Sequence, residues 1–262
     1  MRLKQLDFEF RTHIDFSQPV SNHYFVLRCL PYRSPTLRVS RAEVETSPSS
    51  RLATQRDGFG NTLSVGSVVE EHDSFSYGGT GRVIIDLSRA LPQEPHPMYR
   101  YATDLTRPDE AILDFAHEQK TAGLSTSEVA ETIAHAVHAH MLYLPGSTTV
   151  NTTAAQAFAK GQGVCQDFAH ITLAILRELG IFARYVSGLT VGEGETHAWV
   201  EINENGIWTG FDPTRDQRVD ETYLPLAVGR DWASCPIENG SFLGLVDQTQ
   251  QVSMAVKEHI EQ

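Results

Sequence analysis

The stretch Gly161-Gln-Gly-Val-Cys165-Gln-Asp-Phe-Ala-His170 decides how the second half of the chain folds. It leads from a glycine-rich loop into a segment whose apolar residues recur at spacings of three and four, which is typical of an amphipathic helix. The recurring positions are Phe168, Ile171, Thr172, Ile175, Leu176 and Leu179, and Gly180 follows as a helix stop. The pattern therefore predicts a helix with Cys165 in its first turn.

A cysteine in the first turn of a helix has a distinctive chemical environment. The free amides and the positive end of the helix dipole favour the thiolate form, which can attack a carbonyl carbon. A lone cysteine is more commonly a small buried apolar residue. This stretch alone therefore leaves open whether Cys165 is a nucleophile or a core residue.

Two downstream motifs bear on that choice. Residues 196–202 alternate in polarity as a half-buried strand does, with His197, Trp199 and Glu201 on one face. Residues 203–206 carry a hairpin-turn signal, and residues 207–212 read as the returning strand, which ends at Asp212.

Two registers of this hairpin are open. A turn centred between Glu204 and Asn205 would place His197 directly opposite Asp212. If Asn205 and Gly206 are the two turn residues, His197 and Asp212 are diagonal neighbours on the same face. Both registers allow an imidazole–carboxylate hydrogen bond, which would fix the imidazole tautomer so that its other nitrogen can exchange a proton with a thiol.

Several ordered motifs together carry a family resemblance. They are Gly163-Val-Cys165-Gln-Asp-Phe-Ala-His170, Ala183-Arg-Tyr-Val-Ser-Gly188, Thr196-His197-Ala-Trp-Val-Glu201, Phe211-Asp212-Pro-Thr214 and Val228-Gly-Arg-Asp-Trp232. This set resembles the bacterial branch of the transglutaminase-like superfamily, whose members are often described as candidate cysteine proteases. The resemblance runs from about Thr106 to the carboxyl terminus, and the amino-terminal third resembles the β-rich domain that precedes the catalytic domain in this branch.

The resemblance implies a role for each of three residues. Cys165 would be the nucleophile, His197 the general base and then acid, and Asp212 the orienting carboxylate. The backbone amide of Cys165 is an expected oxyanion donor, and Tyr143 is a candidate for the second donor, although a tyrosine near a helix end is usually a packing residue. One departure is Trp232, where such relatives often carry tyrosine.

The chain is expected to contain two domains. Residues 5–14, 23–29, 37–46, 61–70 and 82–87 read as short strands, which indicates a β-sandwich. A proline-rich connector at residues 91–97 places the boundary between Leu91 and Asp104, which gives a β-sandwich-like domain at 1–100 and a catalytic domain at 101–262.

Helices are predicted at about 108–120, 126–142 and 153–160, before the helix of Cys165. The predicted fold class is α+β, with a β-sandwich followed by a papain-like, transglutaminase-like domain. In that domain the cysteine-bearing helix packs on an antiparallel sheet, which the carboxyl-terminal third is expected to complete.

The amino-acid composition limits the binding partners and the cellular compartment that can be expected. The net charge of −12 disfavours a surface that binds nucleic acid or an anionic membrane. No segment has the apolar length of a signal peptide core or a membrane span, so a cytoplasmic protein is expected. The three cysteines, Cys29, Cys165 and Cys235, fit neither a disulfide framework nor a zinc site. No cofactor is expected.

His135 and His138 could in principle hold a metal, because they stand three residues apart in a predicted helix. They have no nearby acidic ligand, so they are interpreted as a helix face and no metal is expected. The predicted function is a cysteine-dependent amide or peptide hydrolase that forms a thioester on peptide or protein substrates. Two alternatives remain: acyl transfer to an amine, as in a transglutaminase, and a non-catalytic binding module.

Overall fold

The computed structural model of the protein describes residues 3–259. Its strands are β1 (Lys4–Leu27), β2 (Leu37–Ser47), β3 (Ala53–Arg56), β4 (Thr62–Val68), β5 (His72–Ile85), β6 (Leu142–Tyr143), β7 (Gln162–Gly163), β8 (Ala183–Thr190), β9 (Gly192–Gly194), β10 (His197–Glu204), β11 (Ile207–Asp212), β12 (Gln217–Arg218), β13 (Tyr223–Gly229), β14 (Glu238–Leu243) and β15 (Gln248–Glu258). The α-helices are α1 (Glu110–Glu118), α2 (Thr126–His140), α3 (Ala154–Lys160) and α4 (Cys165–Glu178). The fold is thus mixed α and β, and sheet predominates.

The long strand β1 organises the first of two large sheets. Its first part lies between β5 and β15, with β2 and β9 at the outer edges, and its last part, residues 23–27, lies between β4 and β14. Alternate residues of β1 are buried as the period of a strand requires. These buried side chains, Leu6, Phe8, Phe10, Ile14, Phe16, Val20, Phe25 and Leu27, share one apolar cluster with residues of β5 and β15.

The strand predictions in this region need two corrections. Residues 5–14 and 23–27 belong to the single strand β1, which ends two residues before the predicted end, and β5 begins at His72, ten positions before the predicted start. The sequence pattern does not reveal the first part of β5, because Gly78 and Gly79 suggest a turn there. In the sheet they allow close backbone approach, since a Cβ at Gly78 would lie 2.3 Å from the carbonyl oxygen of Phe10.

The second large sheet is antiparallel and has the strand order β12-β11-β10-β8-β13. Helix α4 packs against β10 and β8, and its buried face contacts the inward face of β10 at Ala198, Val200 and Ile202. The other three helices surround α4. They lie where the sequence predicts them, and the capping box between Ser125 and Glu128 opens α2.

The carboxyl-terminal strands correct the predicted topology. Strand β13 does join the second sheet, beside β8, but β14 and β15 pair with β1 of the first sheet. The reason lies in β15, whose Met254 and Val256 are buried in the apolar cluster of the first sheet. Residues 238–258, which the sequence assigns to the catalytic domain, therefore complete the sheet of the amino-terminal strands.

The two large sheets meet close to His197. Strand β9 pairs with β15 of the first sheet, and β10, which begins at His197, belongs to the second sheet. Only Glu195 and Thr196 separate these two strands in the chain. The first sheet therefore continues to within a few residues of the candidate site.

Candidate active site

Cys165 is the first residue of α4 and follows the helix-capping residue Val164. Its amide is therefore among those at a helix start that have no carbonyl partner within the helix. Its side chain is partly exposed, whereas Cys29 and Cys235 are buried, and burial raises the pKa of both buried thiols. Of the three thiols, Cys165 is the one that solvent reaches.

The loop before α4 is held in place by a carboxylate. The Oδ2 atom of Asp167 accepts hydrogen bonds from the Val164 amide at 2.8 Å and from the Thr148 hydroxyl at 2.6 Å. Burial raises the pKa of Asp167, against the lowering effect of these hydrogen bonds. A Cβ at Gly163 would lie 2.6 Å from this carboxylate, so the glycine before Val164 is required by close packing.

The β10–β11 hairpin sets the relation between His197 and Asp212. Glu204 pairs with Ile207, which leaves Asn205 and Gly206 as the two turn residues. Both have positive φ, at 53° and 87°, as a two-residue type I′ turn requires. The second predicted register is therefore the observed one, and His197 and Asp212 are diagonal neighbours.

The two side chains form a short hydrogen bond. His197 Nε2 lies 2.6 Å from Asp212 Oδ2, and little of either side chain is accessible, with 10% of His197 and 0% of Asp212 exposed. Burial alone would lower the pKa of His197, but hydrogen bonds with Asp212 and Cys165 raise that pKa to about 9. The same bond holds the pKa of Asp212 below its usual range, although burial opposes this.

The hydrogen bond to Asp212 determines which imidazole nitrogen serves Cys165. Because Nε2 donates to the carboxylate, Nδ1 is the nitrogen that remains for the thiol. With its pKa near 9, His197 is charged at neutral pH and can stabilise a thiolate. The thiol of Cys165, the imidazole of His197 and the carboxylate of Asp212 are thus brought together.

Two further residues, which the sequence analysis missed, extend the hydrogen-bond network of His197 and Asp212. Tyr223 in β13 donates its hydroxyl to Asp212 Oδ2 at 2.8 Å, and Gln217 donates to the Tyr223 hydroxyl at 2.7 Å. Burial raises the pKa of Tyr223, and the neighbouring Asp212 adds to this, so the phenol stays protonated and able to donate. No local motif marks Tyr223, because β13 reaches Asp212 only through its pairing with β8.

Backbone amides hold the other oxygen of Asp212. Its Oδ1 atom accepts hydrogen bonds from the amides of Thr214 at 2.9 Å and Arg215 at 3.2 Å. The sequence Asp212-Pro-Thr thus forms a turn, and the carboxylate closes it. The Asp212 side chain therefore both closes the turn and contacts His197.

Tyr143 lies near the nucleophile but is half exposed. It stands in β6, which pairs with β7 just before Cys165, and its ring is 6.4 Å from that of Phe168. Partial burial raises the pKa of Tyr143, and a charge on Cys165 would raise it further. Its role as an oxyanion donor remains a prediction.

The two helix histidines have separate partners. The Nδ1 atom of His135 lies 2.8 Å from Asp216, and that of His138 lies 3.2 Å from the Pro213 carbonyl oxygen. Both contacts tie α2 to the loop after Asp212. The expectation that these histidines have no acidic neighbour is wrong for His135, because the loop after Asp212 brings Asp216 against α2.

Three charged residues from the sequence motifs have structural partners. Arg184 donates to Glu201 at 2.7 Å across neighbouring strands. Arg230 donates to the carbonyl oxygens of residues 101 and 102. Asp231 caps the short turn that follows it by accepting from Ser234.

Comparison with known families gives two matches. Residues 114–213 match the core of the transglutaminase-like superfamily, and residues 6–84 match the bacterial transglutaminase-like N-terminal region. The first range contains Cys165, His197 and Asp212, and the second covers most of β1 to β5.

Two sequence relatives and one solved structure are similar to this chain. An uncharacterised protein of Mycobacterium tuberculosis is 30% identical over 265 residues, which cover 86% of this chain and 83% of the relative. A Mycobacterium leprae protein, also uncharacterised, is 41% identical over 112 residues, or 39% of this chain and 40% of the relative. A crystal structure from Cytophaga hutchinsonii, proposed to be of a cysteine protease, has a TM-score of 0.77 at 21% identity and covers 100% of this chain and 95% of its own.

None of the helices within residues 3–259 has the length and apolar character needed to cross a bilayer.

Proposed function

The chain belongs to the bacterial transglutaminase-like family, and we propose that it is a cysteine-dependent amide or peptide hydrolase with the triad Cys165, His197 and Asp212. The observation that carries the proposal is the position of His197. Its Nε2 is 2.6 Å from a buried carboxylate, and its hydrogen bonding to Cys165 contributes to its raised pKa. A histidine held in this way can both activate a thiol and protonate a leaving group.

The proposed first half-reaction forms a thioester. The Cys165 thiolate attacks the amide carbonyl carbon, and the carbonyl π electrons move to oxygen. The amides at the start of α4, including that of Cys165, would stabilise this oxyanion. The C–N bond then breaks, the amine leaves with a proton from the His197 imidazolium, and the acyl group stays on sulfur.

The second half-reaction releases the acyl group. His197, now neutral, accepts a proton from water as the water oxygen attacks the thioester carbonyl carbon. The C–S bond breaks and Cys165 leaves as a thiolate, which restores the ion pair with His197. Asp212 remains ionised throughout, and its role is to keep Nε2 protonated and the ring oriented.

An amine could replace water in the second half-reaction. Glu193 and Glu195 are exposed immediately before His197, so this rim of the site carries negative charge. A cationic amine would be attracted to such a rim, which favours transamidation as a second candidate function. Both candidates share the thioester and differ only in the group that attacks it.

The proposal extends to the amino-terminal strands and the compartment. We regard the first sheet as a β-sandwich-like domain that flanks the cleft and positions a peptide or protein substrate. Its connection through β9, next to His197, supports this role. Three free cysteines suit a reducing cytoplasm.

The experiment that tests the proposal is trapping of the acyl-enzyme. The protein would be incubated with a pool of peptides, both with and without the amine dansylcadaverine, and acid-quenched samples would be analysed by mass spectrometry. We expect an acyl adduct on Cys165 that is absent in Cys165→Ala and in His197→Ala but present in the control His135→Ala. Dansylated product would support transamidation, and free acid product would support hydrolysis.

A negative result has a definite meaning. If no peptide or protein amide acylates Cys165, while the protein captures a partner with its triad intact, the hydrolase proposal is wrong. The chain would then be a binding module that retains the fold.

A further inference from the structure

A cavity of about 520 Å³ lies in the first sheet, where β1 pairs with β14. The inward face of this strand pair is largely apolar, because Phe25 and Leu27 of β1 are buried in the cluster of the first sheet. His23 shares the face of Phe25, and Glu238 lies directly opposite Leu27. Both polar side chains line the cavity, so polar groups occupy positions that a sheet normally gives to apolar residues.

Two hydrogen bonds determine which nitrogen of His23 faces the cavity. His72 Nδ1 lies 3.0 Å from the carbonyl oxygen of Glu70, which can only accept, so this nitrogen donates. In the neutral ring His72 Nε2 is then an acceptor, and His23 Nδ1, 3.2 Å away, donates to it. Burial lowers the pKa of His23 to about 4, so its ring is neutral at neutral pH and its Nε2 atom carries a lone pair.

The lone pair of His23 is open to the cavity. The whole residue is 2% exposed, and Nε2 has no hydrogen-bond partner among residues 3–259. It is nevertheless not one of the fully enclosed unpaired polar atoms of that range, so the cavity reaches it. A nearly buried side chain thus directs an unpaired acceptor into the cavity, which is costly unless a bound group meets it.

Glu238 adds an unpaired carboxylate to the same space. No hydrogen bond or ion pair holds its half-buried side chain among the described residues, and burial raises its pKa. The position that a Cβ on Gly240 would take lies 2.9 Å from Glu238 Oε1 and 3.4 Å from His23 Nε2. The two acceptors therefore converge over a glycine, and none of the residues that line the cavity within 3–259 is a lysine or arginine.

Two unpaired acceptors, one of them a carboxylate, favour a cation between them. A neutral imidazole whose other nitrogen donates a hydrogen bond is the form in which histidine binds metals, and the contact with His72 would orient the ring. Imidazole and carboxylate together suit Zn²⁺ and similar ions. We propose that His23 Nε2 and the Glu238 carboxylate bind a divalent transition-metal ion such as Zn²⁺, with water molecules completing its coordination.

This site is independent of the proposed amide chemistry. His23 and Glu238 belong to β1 and β14 of the first sheet, whereas Cys165 and His197 begin α4 and β10. An ion held by one residue from each of two paired strands would fasten β14 to β1. Its role is therefore stabilisation of the first sheet, and a binding measurement tests it even if the chain has no catalytic function.

The test is a Zn²⁺ titration of the chelator-treated full-length chain carrying Cys165→Ala, which removes the accessible thiol. Histidine ring nitrogens would be followed by ¹⁵N NMR, with the His23 signals assigned by their loss in His23→Gln. We expect Zn²⁺ to shift the His23 Nε2 signal and to raise the thermal unfolding midpoint. Mg²⁺, which prefers oxygen ligands, should do neither at the same concentration.

Two matched variants make the test specific. Glu238→Gln removes one proposed ligand, so it should weaken Zn²⁺ binding at least about tenfold. It should leave the metal-free protein folded, because it replaces an unpaired carboxylate by a neutral group of the same shape. Asp216→Asn is the control, since it removes the carboxylate of the exposed His135 pair and should leave the affinity at His23 unchanged.

Three results would overturn the proposal. They are an unshifted His23 Nε2 signal at saturating Zn²⁺, equal affinity of Glu238→Gln and its parent, and an equal response to Mg²⁺ and Zn²⁺. Shifts confined to histidines other than His23 would count as the first of these, because they would show adventitious binding at the surface.

Discussion

Replacing Asp212 by Asn should lower the pKa of His197 sharply. In the native protein, hydrogen bonds with Asp212 and Cys165 overcome the effect of burial and raise this pKa from 6.5 to about 9. That rise corresponds to about 3 kcal/mol of stabilisation of the imidazolium. Without the carboxylate, burial of the 10% exposed ring should dominate and bring the pKa to 6.5 or below.

The same change predicts a particular pH dependence of stability. Because the pKa of His197 is raised on folding, its contribution is full below pH 6.5 and is lost as the pH rises through about 9. The free energy of unfolding of Asp212→Asn should therefore differ most from that of the wild type near pH 6. The difference should shrink as the pH approaches and passes 9.

Two assays test this prediction. The imidazole Cε1–H resonance of His197, assigned with His197→Gln, would be followed by NMR between about pH 5 and 10. Urea unfolding would be measured across the same range. Asp216→Asn is the matched control, since it removes the carboxylate of the exposed His135 pair and should leave the His197 titration unchanged. A wild-type pKa near 6.5, or an unaltered titration in Asp212→Asn, would refute the reasoning.

Two further substitutions test the surroundings of the proposed triad. Tyr223→Phe removes the hydroxyl that donates to Asp212, so kcat should fall about tenfold at constant KM, and a substrate assay showing no change in kcat would argue against a positioning role. The pKa of Asp212 should also rise, because that hydrogen bond helps to lower it, and the acid-unfolding midpoint should therefore move to higher pH. Gly188→Ala would place a Cβ 2.3 Å from the Leu224 carbonyl oxygen and should cost at least about 2 kcal/mol in urea unfolding. The control Gly58→Ala has open space around it and should change stability by less than about 0.5 kcal/mol; equal effects of the two would contradict the packing argument.

Local sequence patterns were sufficient to predict the elements that carry the proposed triad. The spacing of apolar residues predicts the helix of Cys165, and the alternation after Thr196 predicts the strand of His197. This alternation does not distinguish between the two hairpin registers, because both registers put His197 and Asp212 on one face. The positive φ angles of Asn205 and Gly206 settle it in the structure.

Long-range pairing is what the sequence could not provide. The alternating pattern of β15 indicates a strand, but nothing in it identifies β1 as the neighbour. For the same reason Tyr223 could not be placed beside Asp212, since the contact depends on β13 pairing with β8.

The measurement that tests the central claim most directly is the rate of iodoacetamide labelling at each cysteine as a function of pH. Peptide mass spectrometry would give separate rates for Cys29, Cys165 and Cys235 in the folded wild type, His197→Ala and the control His135→Ala. We predict rapid labelling of Cys165 that persists below about pH 7 in the wild type and in His135→Ala and is lost in His197→Ala. Labelling of Cys165 no faster than the two buried cysteines, or unaffected by His197→Ala, would contradict the claim that these residues form an activated pair.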